Sequence, residues 1–358
     1  MNKKKIAVFP LDEATIPYIK SNLIDQYDVV AGYTNDKGSC LEKEVILENG
    51  RLVIKNINQC KYEEFDIMWL VNSEEVFVLE DDILPVIEQA AYNKKDICMS
   101  ISLNKNIMLK CQEICDRNNV AFTRITEDDQ INFGLTEKLL KVSTPIIFVL
   151  GIYEHTSKLD TLLYLHKAAK VAGYRPYSIL TKTNDFGLRD CHGFPKFMLN
   201  DGVNDKRKVL LFNHFVRKLE IEKKPDLIFV GIPGEIISIN KEHFGNFSIM
   251  PYLVSNAISC DYAVLKLFND FYTKEFAEKM RNYCSQKYSI EIDSFVVSET
   301  LLDVANADKR PTLQYYYSNE KHKDLDDMYY FGYVDGNGRN LQQHMLDTLQ
   351  GYGNYNSI

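Results

Sequence analysis

The sequence lacks a membrane-spanning run and a concentrated basic surface. No stretch approaches the roughly 20 consecutive apolar residues that a bilayer span requires, so we expect no membrane partner. No run of basic residues is longer than the three of Lys3–Lys5, and the net charge is −8. Nucleic-acid binding needs clustered Lys and Arg to neutralise phosphates. The composition therefore argues against nucleic acid as a partner.

Several catalytic and metal-binding motifs are also missing. FPLDEAT follows the first predicted strand where a G-x-G-x-x-G turn would cradle a dinucleotide phosphate. Neither C-x₂-C nor H-E-x-x-H occurs, and Asn118 stands where a C-x₃-C-x₂-C motif begun by Cys111 and Cys115 would need its third cysteine. We therefore predict no metal site, and we expect the eight scattered cysteines to be reduced thiols in the core.

The charged start of the chain resembles a signal peptide in charge alone. Ile6–Pro10 is too short for the apolar region of such a peptide, and KIAVF is typical of a first strand. Together with the scattered cysteines, this favours a cytoplasmic protein.

Residues 1–135 alternate short apolar runs with amphipathic segments. This alternation predicts a parallel sheet with helices on both faces, a Rossmann-like domain. A hairpin is predicted around Asn49-Gly50, where Val45–Leu47 and Leu52–Ile54 flank the turn. The other predicted strands are Lys5–Phe9, Asp28–Gly32, Asp66–Val71, Ile97–Ile101 and Ala121–Thr123, and the helices are Glu13–Leu23, Ile83–Asn93 and Asn104–Asn118.

A second alternating set follows the polar segment Glu127–Thr136, which we interpret as a linker. It predicts a P-loop-like α/β domain over residues 136–312, with an irregular loop at Thr183–Asn204. The predicted strands are Ile146–Leu150, Tyr177–Leu180, Asp226–Val230, Tyr262–Leu267 and Ile290–Val296; Lys208–Glu222 and Lys274–Lys287 are helices, and Ser255–Ser259 lies in a short one.

Residues 313–358 are rich in Tyr, Gly and Asn, which indicates a C-terminal extension. Leu341, Met345 and Leu349 recur every four residues and predict one amphipathic helix. We expect this helix to dock on the body of the protein, and docking on a partner is the alternative.

A strand, a polar loop, a lysine at a helix start, a helix and a second strand follow one another from Thr144 to Leu180. This is the layout of a P-loop. A working P-loop wraps phosphates with glycines and binds Mg²⁺ through a Ser or Thr after the lysine. Here Lys158 is present, but Ser157 replaces the second glycine and Leu159 replaces the hydroxyl residue. The candidate ligand-binding residues of this segment are Gly151, Tyr153, His155, Ser157 and Lys158.

Two readings of this segment stay open. A helix start with a lysine can still hold an anion, so a nucleotide or another phosphate-containing molecule is the candidate ligand. In the other reading, the segment is a structural turn with a solvated Lys158. Competent ATP hydrolysis is not expected, because the Mg²⁺-binding hydroxyl is missing.

The turn Gly231-Ile232-Pro233-Gly234-Glu235 follows the strand Asp226–Val230. Loops at the carboxyl ends of parallel strands converge on one crevice, so we expect this turn beside Tyr153–Lys158. Gly231, Gly234 and Glu235 are therefore candidate ligand-binding residues, and Glu235 is a candidate base. The alternative is a tight turn that leaves Glu235 in solvent.

Cys191 and His192 form a third candidate site. A thiol near an imidazole can become a nucleophile. Adjacent residues of an extended chain point in opposite directions, however, so His155 or His214 would be the better partner for Cys191. A structural loop anchored by Phe194 and Pro195 is the favoured interpretation.

Several blocks of the chain resemble a known family: FVLGIYEHTSKLDTLLYLHKAAKVAGYRPYSI, FGLRDCHGFPKFM, KKPDLIFVGIPGEI and NFSIMPYLVSNAISCDYAVL. They are similar to peptide maturation system proteins of clostridial-type natural-product cassettes. The resemblance implies a context with a Cys-rich precursor peptide, a radical-SAM maturase and an acyl-carrier-related protein. More distantly, the domain order is similar to P-loop proteins of the dethiobiotin-synthetase type, in which the residue matching Lys158 binds phosphate.

The resemblance implies an accessory protein in the maturation of a ribosomally synthesised peptide. It would bind precursor peptide, maturase or carrier protein through a degenerate nucleotide-type crevice. The alternative is a nucleotide- or acyl-CoA-dependent ligase or transferase, with Lys158 on phosphate and Glu235, Cys191 or His192 in the chemistry. A third alternative is a homodimeric scaffold joined through the tyrosine-rich tail.

Overall fold

The computed structural model describes residues 3–48, 50–75, 77–127, 136–307, 313–318, 330–331 and 341–355. The chain forms two compact units. The first contains Met1–Glu127 together with Thr183–Arg189, and the second contains Asp128–Lys182 together with Asp190–Ile358. The predicted domain boundaries at residues 135 and 312 lie outside the described residues.

The first unit is built on a seven-stranded sheet in the order β3-β4-β2-β1-β5-β6-β7. Every neighbouring pair is parallel except β3 and β4, which form the predicted hairpin. Without β3, this is the strand order of dinucleotide-binding folds, and the predicted Rossmann-like fold is confirmed. The strands are β1 Lys4–Phe9, β2 Tyr27–Thr34, β3 Glu44–Leu47, β4 Gly50–Asn56, β5 Ile67–Leu70, β6 Asp96–Met99 and β7 Phe122–Arg124; the helices are α1 Ile16–Lys20, α2 Leu84–Tyr92 and α3 Lys105–Asn118.

The segment Thr183–Arg189 packs into this first unit although both of its chain neighbours belong to the second. The Trp69 indole Nε1 donates a hydrogen bond to the Asp185 carbonyl oxygen at 3.0 Å. The Phe186 ring lies 5.4 Å from the Tyr18 ring and 5.6 Å from the Trp69 ring. Part of the loop predicted to be irregular is therefore a core element of the first unit.

The second unit contains another seven-stranded sheet, ordered β10-β9-β11-β8-β12-β13-β16, with all neighbours parallel. A two-stranded antiparallel sheet, β14 with β15, accompanies it. The strands are β8 Ile146–Gly151, β9 Pro176–Ile179, β10 Cys191–His192, β11 Leu227–Gly231, β12 Tyr262–Leu267, β13 Ser294–Val297, β14 Thr300–Leu302, β15 Tyr315–Tyr317 and β16 Tyr330–Phe331; the helices are α4 Lys158–Val171, α5 Asp205–Lys223, α6 Ile249–Ala257, α7 Lys274–Tyr288, α8 Val304–Ala307 and α9 Leu341–Tyr355.

The C-terminal helix α9 packs on α4 and β12 of the second unit. Met345 is fully buried, Leu341 and Leu346 are nearly so, and Leu349 is only half-buried. His344 Nδ1 and the Tyr262 hydroxyl share a 2.6 Å hydrogen bond. The predicted helix thus docks on the body of the protein, with Leu346 in place of Leu349 at the centre of the contact.

Three predicted elements differ most from the observed ones, and most of the others differ by one to three residues at an end. The helix predicted at Glu13–Leu23 is shortened to α1, because the Asp12 side chain accepts from the Thr15 amide and holds a separate turn ahead of the helix. The strand predicted at Ile290–Val296 is shortened to β13, since Ile290 and Ile292 are buried from a loop. The short helix predicted to include Ser255–Ser259 is α6, which ends at Ala257.

Each helix of the described residues is either too short or too polar to span a bilayer.

Candidate functional site

The two loops predicted to share a crevice are in contact. Strands β8 and β11 are parallel neighbours at the centre of the second sheet, so their following loops leave the same edge. The Lys158 ammonium donates hydrogen bonds to the Gly234 carbonyl oxygen at 2.7 Å and to the Tyr153 carbonyl oxygen at 3.4 Å. The expectation that Tyr153–Lys158 lies beside Gly231–Glu235 is confirmed.

The loop after β8 is folded in on itself around Gly151. The Thr156 hydroxyl donates to the Tyr153 carbonyl oxygen at 3.1 Å. A Cβ atom on Gly151 would lie 2.4 Å from Thr156 Oγ1 and 2.7 Å from the Tyr153 carbonyl oxygen, closer than real Cβ contacts. Glycine is therefore needed here because the loop closes against its own strand.

The conformation of this loop explains the orientation of Lys158. His155 and Ser157 have positive φ angles of 57° and 54°, a strained conformation for residues with a side chain. Ser157 precedes α4 without capping it through its hydroxyl. Lys158 is only 8% exposed, so its ammonium is directed into the loops. The alternative that left Lys158 in solvent is wrong, because peptide carbonyls accept hydrogen bonds from its ammonium.

Glu235 anchors the loop that leads into α6. It is completely buried, and its Oε1 accepts hydrogen bonds from the Asn246 and Ser248 amides, each at 2.8 Å. Gly245 packs on the carboxylate: its φ is +61°, and a Cβ there would lie 2.4 Å from the Glu235 carboxyl carbon. Within the described residues Oε2 has no hydrogen-bond partner. The alternative that left Glu235 in solvent is therefore wrong.

Tyr153 connects the two loops through a second set of contacts. Its side chain is buried in the core cluster of the second unit. Burial, and after it the negative charge of Glu235, raises the pKa of the Tyr153 hydroxyl, while a hydrogen bond from the Gly245 amide opposes the shift. Tyr153 is therefore a neutral hydroxyl at neutral pH.

Cys191 and His192 form the edge strand β10, with β9 and β11 between them and β8. Cys191 is 5% exposed, and His192 Nδ1 lies 2.7 Å from the Gly193 carbonyl oxygen. The His192 ring makes an edge contact with Phe215 at 4.9 Å, and Phe194 is buried in the core. These contacts support the interpretation of a structural loop.

The two histidines considered as partners for Cys191 make other contacts. The His155 ring lies 4.4 Å from the Tyr315 ring, and His214 Nε2 is 3.0 Å from the Lys138 carbonyl oxygen. Tyr315, on β15, also lies 6.0 Å from Phe268, and burial raises its pKa above that of an exposed tyrosine. Tyr315 was not among the predicted residues of this site, although it belongs to the aromatic run QYYYSNE.

An exposed apolar surface begins on the loop that Glu235 anchors. The rings of Phe244 and Phe247 are stacked at 4.4 Å and an interplanar angle of 18°, and they are 44% and 64% exposed. Ile249 and Tyr252 extend this surface onto α6, at 44% and 52% exposure. We call these four residues the aromatic surface. Its signal in the sequence was the apolar start of α6, where Ile249 and Tyr252, three residues apart, lie on the same exposed face of the helix.

The cysteines behave as core thiols. All eight are free, and six of them are buried. Burial raises the pKa values of Cys98 and Cys284 to about 12, so these thiols are protonated at neutral pH. In the described parts of the chain, no group of three or more His, Cys, Asp and Glu residues could hold a metal ion.

No family model matches the chain, and no curated protein matches it. Among solved structures, a DUF1611 family protein from Anabaena variabilis is 13% identical, with a TM-score of 0.51 over 83% of this chain and 88% of that one. At this identity the likeness supports the two-domain α/β fold and nothing more. A plasmid partition protein from Borrelia burgdorferi (11% identity; 58% of this chain and 99% of that one) and a homoserine dehydrogenase from S. aureus (16%; 35% and 33%) have TM-scores of 0.34 and 0.26, too low to support an argument.

Proposed function

We propose that this chain is an accessory protein in the maturation of a ribosomally synthesised peptide natural product. It binds precursor peptide, maturase or carrier protein at the face of the second unit where Tyr153–Lys158 meets Gly231–Glu235. The sequence blocks similar to peptide maturation system proteins supply this context. They also contain both loops of the crevice.

The contacts of Lys158 favour a binding role over nucleotide hydrolysis. The ammonium of Lys158, which would reach phosphate in a working P-loop, is held by the carbonyl oxygens of Gly234 and Tyr153. Leu159, at the position of the Mg²⁺-binding hydroxyl, is buried. Phosphate binding would require these internal hydrogen bonds to be broken. The two loops of the crevice are in place, but backbone carbonyl oxygens already accept the hydrogen bonds of the lysine ammonium.

The aromatic surface gives the proposed partner a place to bind. Contiguous exposed apolar residues are a common mark of protein–protein contacts, and aromatic anchors often dominate their energetics. Phe244 and Phe247 lie on the loop that the buried Glu235 carboxylate fixes through two amides. A fixed loop loses little conformational freedom on binding, which favours affinity.

Co-expression with the precursor peptide, the maturase and the carrier protein, followed by affinity capture of this chain, tests the proposal. We expect at least one of the three to be captured. Phe247→Ser should weaken that capture about tenfold or more, the range for an aromatic anchor. Tyr92→Ser is the matched control, since Tyr92 is a 74% exposed aromatic of the first unit. Capture of none of the three would exclude the proposal.

The second candidate is a nucleotide- or acyl-CoA-dependent ligase or transferase. The position of Lys158 favours this candidate. Lys158 lies at the start of α4 beside the loop that follows β11, and P-loop proteins bind phosphate with a lysine placed in this way. Lys158→Ala should then abolish product formation and the binding of ATP, GTP or CoA measured by calorimetry. Lys206→Ala, which removes an exposed lysine, should leave both unchanged. A calorimetric titration with no binding of any of the three would count against an enzyme.

A homodimer held by the tyrosine-rich tail is a separate proposal. Light scattering on the full chain and on a chain ending at residue 312 measures it directly. An unchanged number of chains per particle after truncation would exclude the tail as the dimer contact.

A further inference from the structure

The first unit contains a cavity that the proposed function does not use. The cavity has a volume of about 450 Å³ and lies at the carboxyl ends of β1, β2 and β4. In a sheet with this strand order, ligands bind at the carboxyl ends of the strands. Its size falls within the range of small-molecule sites.

The lining of the cavity combines aromatic faces with hydrogen-bonding groups. Tyr62 is half-buried and supplies apolar surface for a planar ring, while Phe9, at the end of β1, lines the cavity but is fully buried. The amides of Asn56 and Gln89 can both donate and accept hydrogen bonds, as the edge of a nucleobase requires. Asp36 is the first carboxylate after β2, the position from which dinucleotide-binding folds contact ribose hydroxyls.

The charges of the cavity oppose a phosphate. Asp36, Asp81 and Asp82 line it, and none of its lining residues that the structure describes is a lysine or arginine. A phosphorylated ligand would therefore bring its negative charge close to these three carboxylates.

An internal carboxylate occupies the position where a phosphate would bind in such a fold. Asp12 follows β1 and is 2% exposed. It accepts hydrogen bonds from the amide and hydroxyl of Thr15, from the Ser73 hydroxyl and from the Glu74 amide, at 2.6 to 2.9 Å. It thus joins the loop after β1 to the loop after β5, at the point where the strand order reverses. Both loops have their donors directed at this protein anion.

We infer that the first unit binds a nucleoside without phosphates in the cavity between Phe9, Tyr62 and Asp36. The base lies against the Tyr62 ring, and the ribose hydroxyls donate to the Asp36 carboxylate. The 5′ end carries no phosphate, because Asp12 already satisfies the donors that would bind one. This inference is independent of the proposed peptide-maturation role.

Calorimetric titration of the full chain with adenosine, guanosine, cytidine and uridine, and with their 5′-monophosphates, tests this inference. We expect one nucleoside to bind and its monophosphate to bind about tenfold or more weakly. Asp36→Asn should weaken nucleoside binding about tenfold or more, because a hydrogen bond to a charged group is lost. Asp28→Asn is the matched control, since Asp28 is an exposed carboxylate at the other end of the same strand.

Absence of binding for all four nucleosides at millimolar concentration would overturn the inference. So would a monophosphate that binds as tightly as its nucleoside, or binding that Asp36→Asn does not affect. Thermal unfolding of each variant verifies that its fold is intact.

Discussion

At the scale of single residues, each unit has a protein group at the position where dinucleotide-binding or P-loop folds bind a phosphate. Asp12 receives the loop donors of the first unit, and the carbonyls of Gly234 and Tyr153 receive the Lys158 ammonium in the second. The sequence indicated part of this, because FPLDEAT lacks the glycines of a phosphate cradle and Leu159 lacks a hydroxyl. The partners of Lys158 were not predictable, since they depend on positive φ angles at His155 and Ser157.

Gly151 provides a test of the closed loop. Gly151→Ala should destabilise the second unit by about 1–3 kcal/mol, the usual effect of overpacking, because the new Cβ would collide with Thr156 Oγ1 and the Tyr153 carbonyl. Gly351→Ala is the control: no atom lies within 4 Å of its added Cβ, and its position in α9 favours alanine. Urea unfolding followed by circular dichroism measures both. Equal stabilities for the two variants would show that the loop is open.

His166 gives the second unit a defined pH dependence. Burial lowers the pKa of His166 to about 4, and its Nδ1 shares a 2.7 Å hydrogen bond with the Ser178 hydroxyl. In the unfolded chain the pKa is near 6.5, so below pH 6.5 the unfolded state binds the extra proton. The contribution of neutral His166 to the free energy of unfolding is therefore fully present above pH 6.5 and is lost as the pH falls toward 4. Between pH 7.5 and pH 5 this loss is about 2 kcal/mol.

Comparison of His166→Gln with the wild type isolates this effect, because glutamine does not titrate. We expect the difference between urea midpoints at pH 7.5 and pH 5 to shrink in the variant. Asp293 acts in the opposite direction: burial raises its pKa to about 6, so its protonation stabilises the fold as the pH falls. Asp293→Asn should accordingly make the acid sensitivity larger. An unchanged profile in His166→Gln would rule out His166 as its source.

At the scale of elements, the strands and helices with strong apolar periodicity were predicted well. Strand β12 matches its predicted range, and β8 and α3 differ from theirs by one residue. The predictions are wrong where contacts between residues far apart in the sequence determine whether a strand forms. The two-residue strand β10 exists because it pairs with β9, and its sequence has no local signal for a strand. Ile290 and Ile292 look like strand residues, but they are buried from a loop.

The contact of α9 with its unit can be tested at one side chain. Met345→Ala should lower the free energy of unfolding by about 2–5 kcal/mol, the range for truncating a buried Met, because Met345 is fully buried against the body. Gln343→Ala is the control, since Gln343 lies on the exposed face of the same helix. Thermal unfolding by circular dichroism distinguishes the two. A Met345→Ala protein as stable as the wild type would mean that α9 is not docked in solution.

At the scale of the whole molecule, the two units are not simple successive segments. The chain passes from one to the other after residues 127, 182 and 189, which makes three crossings. The alternation of predicted strands and helices indicated two α/β domains, because hydrophobic periodicity can be read from neighbouring residues alone. It could not predict that Thr183–Arg189 belongs to the first unit, since that follows from side-chain contacts with residues more than 80 positions away.

Phe186 tests whether this inserted segment stabilises the first unit. It is 3% exposed and packs on Tyr18 and Trp69, so Phe186→Ala should destabilise the first unit by about 3–5 kcal/mol. Trp69 is the only tryptophan, and its fluorescence therefore reports on this unit alone. We expect the fluorescence midpoint in urea to fall in the variant.

Phe271→Ala is the matched control, because Phe271 is a 71% exposed phenylalanine of the second unit. It should leave the Trp69 transition unchanged. In Phe186→Ala, the circular dichroism signal should separate into two transitions, since only the first unit loses core contacts while the helices of the second keep theirs. A tryptophan transition that does not move would mean that Thr183–Arg189 contributes no stability to the first unit, and the segment would then be only a connection between β9 and β10.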